Sequence, residues 1–186
     1  MLTNLEAAGQ CIAVERLLCF AGRDSLTVLE NIPDGTCLLD VSNCRSLTQL
    51  PKLPDSLNLL DVTGCPSLTL LPALPKALWA LLLSGCNQLS QLPWLPPELM
   101  YLVATNCRQL KELPPLPSAL KDLKLDGSIY IEQLPCLPPN LRSLHLRGLS
   151  RLTELGPLPN SLEFLDLTGC SGLRELPNLP SSSVVT

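Results

Sequence analysis

Residues 57–75 read LNLLDVTGCPSLTLLPALP, a frame of Leu57-x-x-Leu60-x-Val62-x-x-Cys65-x-x-Leu68-x-x-Leu71-Pro72-x-Leu74-Pro75 that recurs along most of the chain. Pro54, Pro75, Pro96, Pro117, Pro138, Pro159 and Pro180 stand 21 residues apart. Leu39, Leu60, Leu81, Leu102, Leu123, Leu144 and Leu165 keep the same interval. A second proline row, Pro51, Pro72, Pro93, Pro114, Pro135 and Pro177, is interrupted at Gly156. A fixed period of this kind marks a solenoid, in which each unit buries its apolar face against its neighbours.

Two shorter periods operate inside the unit. Leu60 and Val62 are two apart, the spacing of a strand that points both inward and turns Leu59, Asp61 and Thr63 to the other face. From Leu68 the inward residues fall every third position, at Leu71 and Leu74. Three per turn is the polyproline II period, and Pro72 and Pro75 fix φ in its range. The convex side is therefore expected to be extended, with no α-helix. Extended segments stack almost as closely as strands, so the expected shape is a narrow, shallowly curved, twisting ribbon.

Composition fits that reading. The chain has 186 residues, 46% apolar but only 3% aromatic, so leucine must supply the core. A net charge of −4 argues against nucleic acid, which requires a basic stripe. No apolar run approaches the roughly 18–20 residues of a membrane span. The apolar stretch near the N-terminus is interrupted by Glu15 and Arg16, which makes it a poor secretory signal.

Nine cysteines are present, and five of them (Cys44, Cys65, Cys86, Cys107 and Cys170) occupy one position of the unit. This is a packing position after the strand, where a small side chain with a weak S–H donor satisfies a carbonyl. Bridging along such a column would strain parallel Cβ vectors, so the chain reads as reduced and at home in a cytosol. Metal or nucleophilic use would need partners, and His145 is the sole histidine. Ser128 and Leu149 break the column, so the fifth and sixth repeats are expected to turn differently.

The sequence divides into three parts: residues 1–31, an N-terminal cap with a degenerate repeat; 32–180, the solenoid of 21-residue units; and 181–186, an incomplete C-terminal repeat. Thr3-x-x-Glu6 has the form of a capping box, and Leu5, Ala8 and Ile12 follow at helical spacing, which predicts a short capping helix. Leu18 and Phe20 precede Leu39 and Val41 by 21 residues and so mark the degenerate repeat. The C-terminal end offers no obvious cap. The expectation is a chain cut from something longer, or an edge covered by a partner or a second copy.

Leu-Pro-x-Leu-Pro followed by Leu-x-x-Leu-x-Leu/Val resembles the bacterial class of leucine-rich repeats, typical of the type III secreted effectors of the YopM and IpaH group. The resemblance spans residues 32–180. It implies a virulence protein delivered into a host cytosol, where it recognises a host protein. Many members of that group continue into a ubiquitin-ligase domain with a Cys-x-Asp nucleophile motif, and no cysteine of this chain is followed two residues later by aspartate. The string Leu165-Asp166-Leu167-Thr168-Gly169-Cys170-Ser171-Gly172-Leu173 is in turn similar to repeats of plant intracellular immune receptors. Three roles follow: an effector or its recognition domain, the substrate-binding half of a ligase, or the sensing repeats of a receptor.

Recognition by such repeats usually uses the strand face, whose outward positions are uneven. Asp40 and Asp61 make the first repeats acidic. Leu59, Trp79, Leu82, Tyr101 and Val103 then form an expected exposed apolar patch, with Trp79 and Met100 at strand entrances. Lys121, Lys124, Arg142, His145 and Arg147 follow as a basic stretch. A clustered patch with one Trp and one Tyr has the composition of an interface centre. The partner-binding set is thus Leu59, Asp61, Trp79, Leu82, Tyr101, Val103, Lys124, His145 and Arg147. An apolar anchor of the partner is expected on Trp79–Tyr101, and its acidic groups at Lys124, His145 and Arg147. The other readings of the patch are self-association and incidental exposure. Trp94, between two prolines, faces the convex side and reads as a surface aromatic. Asp126 and Asp166 are the carboxylates nearest His145, but an open face with no activated nucleophile is poorly suited to catalysis. Nothing in the sequence calls for a cofactor or a metal.

Overall fold

A computed structural model describes residues 16–175, Asn178 and the backbone of Val184–Val185. The capping box at Thr3-x-x-Glu6 and its helix lie outside the described residues. The remainder is a parallel-strand solenoid. Its strands are β1 (Leu17–Cys19), β2 (Leu38–Asp40), β3 (Leu59–Asp61), β4 (Ala80–Leu82), β5 (Tyr101–Val103), β6 (Asp122–Lys124), β7 (Ser143–His145), β8 (Phe164–Asp166) and β9 (Val184–Val185). They form one sheet in sequence order, each pairing in parallel with the next. The register matches the sequence period, so that Leu18, Leu39, Leu60, Leu81, Leu102, Leu123, Leu144 and Leu165 form a single row. The step to β9 is shorter, with Phe164 opposite Val184.

The core follows the two internal periods. Leu57, Leu60, Val62, Cys65 and Leu68 are fully buried, Leu71 nearly so, and Leu74 is half-buried against them. Each proline turn re-enters the strand through one hydrogen bond, as where Leu78 N–H donates to the Pro75 carbonyl at 3.1 Å and Leu99 N–H to Pro96 at 3.1 Å. Among the described residues no α-helix occurs on the convex side. The return segments there are joined by sparse contacts, such as Thr48 N–H to the Thr27 carbonyl at 3.0 Å. Polyproline-like segments have no internal hydrogen bonds, so leucine burial must hold them.

The cysteine column does what its position suggests. Cys65 Sγ donates to the Val41 carbonyl at 3.1 Å, Cys86 to Val62 at 3.2 Å, Cys107 to Leu83 at 3.1 Å and Cys170 to Leu146 at 3.0 Å. Burial pushes the Cys65 thiol up to about 12 and that of Cys107 up to about 11, so neither is a nucleophile at neutral pH. Strand register continues unchanged past Ser128 and Leu149, and the difference there lies in the turn hydrogen bonds, as where Ser150 N–H donates to the Gly148 carbonyl at 2.9 Å. Ser128 replaces the thiol directly: its Oγ donates to the Ala104 carbonyl at 2.7 Å and accepts the Cys107 N–H at 3.0 Å. Leu149 fills the same place with apolar volume and is fully buried.

The turn leaving each strand is a second fixed point. Gly22, Asn43, Gly64, Gly85, Asn106, Gly127, Gly148 and Gly169 all take positive φ, between 56° and 77°. Glycine enters that region freely, and asparagine is among the few side chains that tolerate it.

Candidate functional site

Short parallel strands in exact-period register turn their non-core residues into straight rows across the concave face, with one residue from each strand. The central row is Asp40, Asp61, Leu82, Val103, Lys124, His145 and Asp166. Beside it runs Leu38, Leu59, Ala80, Tyr101, Asp122, Ser143 and Phe164.

The structure corrects the expected apolar patch. Leu59 is 1% exposed and Trp79 6%, so neither presents itself to a partner. Trp79, at the strand entrance, is buried in one cluster with Leu38, Leu59 and Ala80, and Tyr101 packs against that cluster. Its ring meets Tyr101 edge to face, with centroids 5.8 Å apart and planes at 76°. The pair expected to receive an anchor belongs to a small second core. Leu82 and Val103 remain half-buried neighbours in the central row, and Tyr101 is half-buried beside them.

The acidic end has a structural duty that its sequence disclosed only in part. Asp61 Oδ1 accepts the Thr63 N–H at 2.9 Å, as Asp40 Oδ1 does from Ser42 at 2.9 Å and Asp166 Oδ1 from Thr168 at 2.8 Å. Each aspartate therefore caps its own strand exit with one oxygen, and the other oxygen of Asp40 accepts from Cys19 Sγ at 3.7 Å. The pattern Asp-x-Ser/Thr was the available signal. Burial raises the Asp61 carboxyl above its ordinary value, with the Asp40 charge adding to it against the Thr63 hydrogen bonds. Hydrogen bonding from the Thr168 side chain, joined by its N–H, lowers Asp166.

At the other end the expected basic stretch is a mixed one. Lys124 and His145 are direct cross-strand neighbours, but Lys124 Nζ lies 3.8 Å from Asp122 Oδ2. His145 makes no hydrogen bond with Asp126 or Asp166; its Nε2 lies 2.9 Å from Ser143 Oγ, and its ring stacks at 4.5 Å on Phe164. Among the described residues no carboxylate bonds the other imidazole nitrogen, the orienting contact that a serine nucleophile's base requires. Arg147 is exposed, and its backbone N–H donates to Asp126 Oδ1 at 2.8 Å. Arg142 pairs with Glu163 at 3.6 Å and Lys121 is exposed. Asp122 is raised by burial, with Lys124 and His145 pulling the other way, and its Oδ1 is buried without a hydrogen-bond partner.

Away from this face, Trp94 is 78% exposed among the convex prolines. Among the described residues no group of three or more metal-ligating side chains gathers, and no helix is long and apolar enough to cross a membrane.

No family model matches the chain, and no curated protein matches it. Solved structures do. The structure of YopM from Yersinia enterocolitica WA-314 superposes with a TM-score of 0.65 at 32% sequence identity, covering 86% of this chain and 39% of that one. A leucine-rich repeat protein from Bacteroides ovatus ATCC 8483 superposes at a TM-score of 0.60 and 20% identity, over 78% of this chain and 40% of that one, and so shares the fold. The chain spans about two fifths of the length of either structure.

Proposed function

We propose that this chain, a leucine-rich-repeat protein similar to YopM, is a protein-recognition module that holds its partner along the concave strand face. The observation that carries the reading is the central row itself. Leu82 and Val103 sit side by side and half-buried, flanked by Asp61 on one side and Lys124 on the other. An apolar centre inside a charged rim is the anatomy of a protein interface, and an open strand face suits a macromolecule better than a small substrate. The partner-binding set becomes Leu82, Val103, Asp61, Lys124, His145 and Arg147, with Tyr101 at its margin.

Its setting is proposed from the Leu-Pro-x-Leu-Pro frame and the likeness to YopM. The module is a bacterial effector, or the substrate-recognition part of one, and meets a host protein in the host cytosol. The unpaired thiols fit a reducing compartment. The chain supplies recognition and leaves chemistry to others.

The test compares proteins retained from host lysate by the wild-type chain and by a Leu82→Glu/Val103→Glu variant of unchanged circular dichroism. A partner lost from the variant supports the reading. An identical set of retained proteins overturns it. Light scattering over a concentration series separates a heterologous partner from self-association through the same face.

A further inference from the structure

The order of side chains in the central row specifies more than an interface. Reading across the sheet, the row is acidic at Asp40 and Asp61, apolar at Leu82 and Val103, and basic at Lys124 and His145, with exposed Arg147 one row aside. Because each strand contributes one residue in register, the separations are set by strand spacing. Taking roughly 4.8 Å per strand, Leu82 lies ~5 Å from Asp61, Val103 ~10 Å and Lys124 ~14 Å.

An extended peptide laid along this row advances about 3.3 Å per residue and turns alternate side chains to the sheet. Its facing positions i, i+2 and i+4 therefore fall at about 0, 7 and 13 Å. The first meets Asp61, the second drops between Leu82 and Val103, and the third meets Lys124. We propose that the face reads an extended segment of its partner with the pattern Lys/Arg-x-apolar-x-Asp/Glu, in one chain direction or the other. This rests on the concave-face reading above and adds the occupant's chemistry to it.

The walls fit such a segment. On one side Thr105 Oγ1 donates to Ser84 Oγ at 2.8 Å, a low polar rim beside Leu82 and Val103. On the other, the Trp79–Tyr101 pair is fixed by its own packing and makes a rigid shoulder. Asp61 has one oxygen tied to the Thr63 N–H, so its free oxygen is already oriented when a cation arrives. Lys124 is only loosely held at 3.8 Å from Asp122, both side chains being partly exposed, so an incoming carboxylate competes for it at small cost. A helical occupant rises about 1.5 Å per residue and would place its two charges about nine residues apart.

The experiment is selection of a phage-displayed random dodecamer library on the full chain, with the same selection on Asp61→Asn, Lys124→Glu and Leu82→Glu/Val103→Glu variants. The Asp61→Asn change keeps a side-chain acceptor for the Thr63 N–H while removing the charge, so that variant tests the charge without unmaking the turn. The expected consensus from the wild type holds a base and an acid four residues apart around an apolar residue. Asp61→Asn should erase the preference for the base, and Lys124→Glu should replace the acid by a base. A selected peptide should bind each charge variant at least tenfold more weakly than wild type. A consensus without paired charges, charges about nine residues apart, or no enrichment at all overturns the proposal. If such peptides still require Leu82 and Val103, the recognition reading stands without it. If binding ignores the Leu82→Glu/Val103→Glu change, both fall.

Discussion

A cysteine that donates to the carbonyl 24 residues earlier acts in every unit that has one, and Ser128 shows that a hydroxyl serves equally. Removing the donor without replacing it leaves a buried acceptor unpaired beside a small void. Cys86→Ala should therefore cost about 1–3 kcal/mol, and Cys86→Ser distinctly less, as read from urea midpoints. Equal losses would mean that the sulfur's volume, and not its proton, is what matters. The positive-φ column makes a sharper residue-level statement. A Cβ built on Gly64 falls 2.5 Å from Asn43 Oδ1, and one on Gly127 runs into Asn106 Oδ1, whereas one on Gly85 meets nothing closer than 3.8 Å. Asparagine in one unit thus obliges glycine in the next. Gly127→Ala should lose about 1–2 kcal/mol through both strain and contact, and Asn106→Gly should return part of it in a double-mutant cycle. Additive effects would remove the coupling. Asp122 offers a pH test. Burial raises its carboxyl above the unfolded value, so the folded state holds the proton more tightly, and its contribution is fully present in acid. That contribution disappears as pH rises through the raised folded value. Asp122→Asn should thus raise the Tm at pH 7 and flatten its fall between acid and neutral pH. A variant that melts lower at pH 7 would show that the carboxylate is needed charged.

At the level of elements, the strand and the turn were legible in the sequence because both repeat. Leu60 and Val62 against Leu68, Leu71 and Leu74 disclose a change of period inside each unit, and the register of every strand from β1 to β8 follows from it. Leu59 was not legible, since alternation assigns the first strand position to the open face, and Trp79 was not, since it stands before its strand, where no alternation places it. One large ring at a strand entrance is buried with the residues of the first strand positions, an event that occurs once and leaves no period. The Asp-x-Ser/Thr caps were visible as a pattern but counted as acidic surface. Trp79 therefore belongs to stability before it belongs to binding. Trp79→Ala should remove the largest member of the cluster it shares with Leu38, Leu59 and Ala80 and cost about 2–3 kcal/mol, less than an enclosed core tryptophan because solvent and neighbours can fill the space. Denaturant unfolding measures this directly. A loss below about 0.5 kcal/mol, within the range of ordinary surface changes, would return Trp79 to the free surface.

Across the whole molecule, each strand pairs with the next in sequence, so stability is largely a sum of repeat and interface terms and any whole unit is dispensable in principle. The seam fixes which cuts are whole. Deleting residues 86–106 joins Gly85 to Cys107, removes β5 and brings Ala80–Leu82 against Asp122–Lys124 with every buried leucine still in row. That protein should fold cooperatively with a lower Tm. Deleting 86–105 instead joins Gly85 to Asn106 and shifts the following strand by one residue, which turns its leucines outward, and it should lose its cooperative transition. The same pair of deletions bears on the partner. Removing one strand brings Asp61 about 5 Å nearer Lys124, so peptides selected on the 86–106 deletion should carry their base and acid one or two residues closer together than those selected on the full chain. An unchanged spacing would mean that the peptide does not run along the row. Because a solenoid measures distance in whole repeats, the number of units between its acidic and basic ends then sets the length of the segment it recognises.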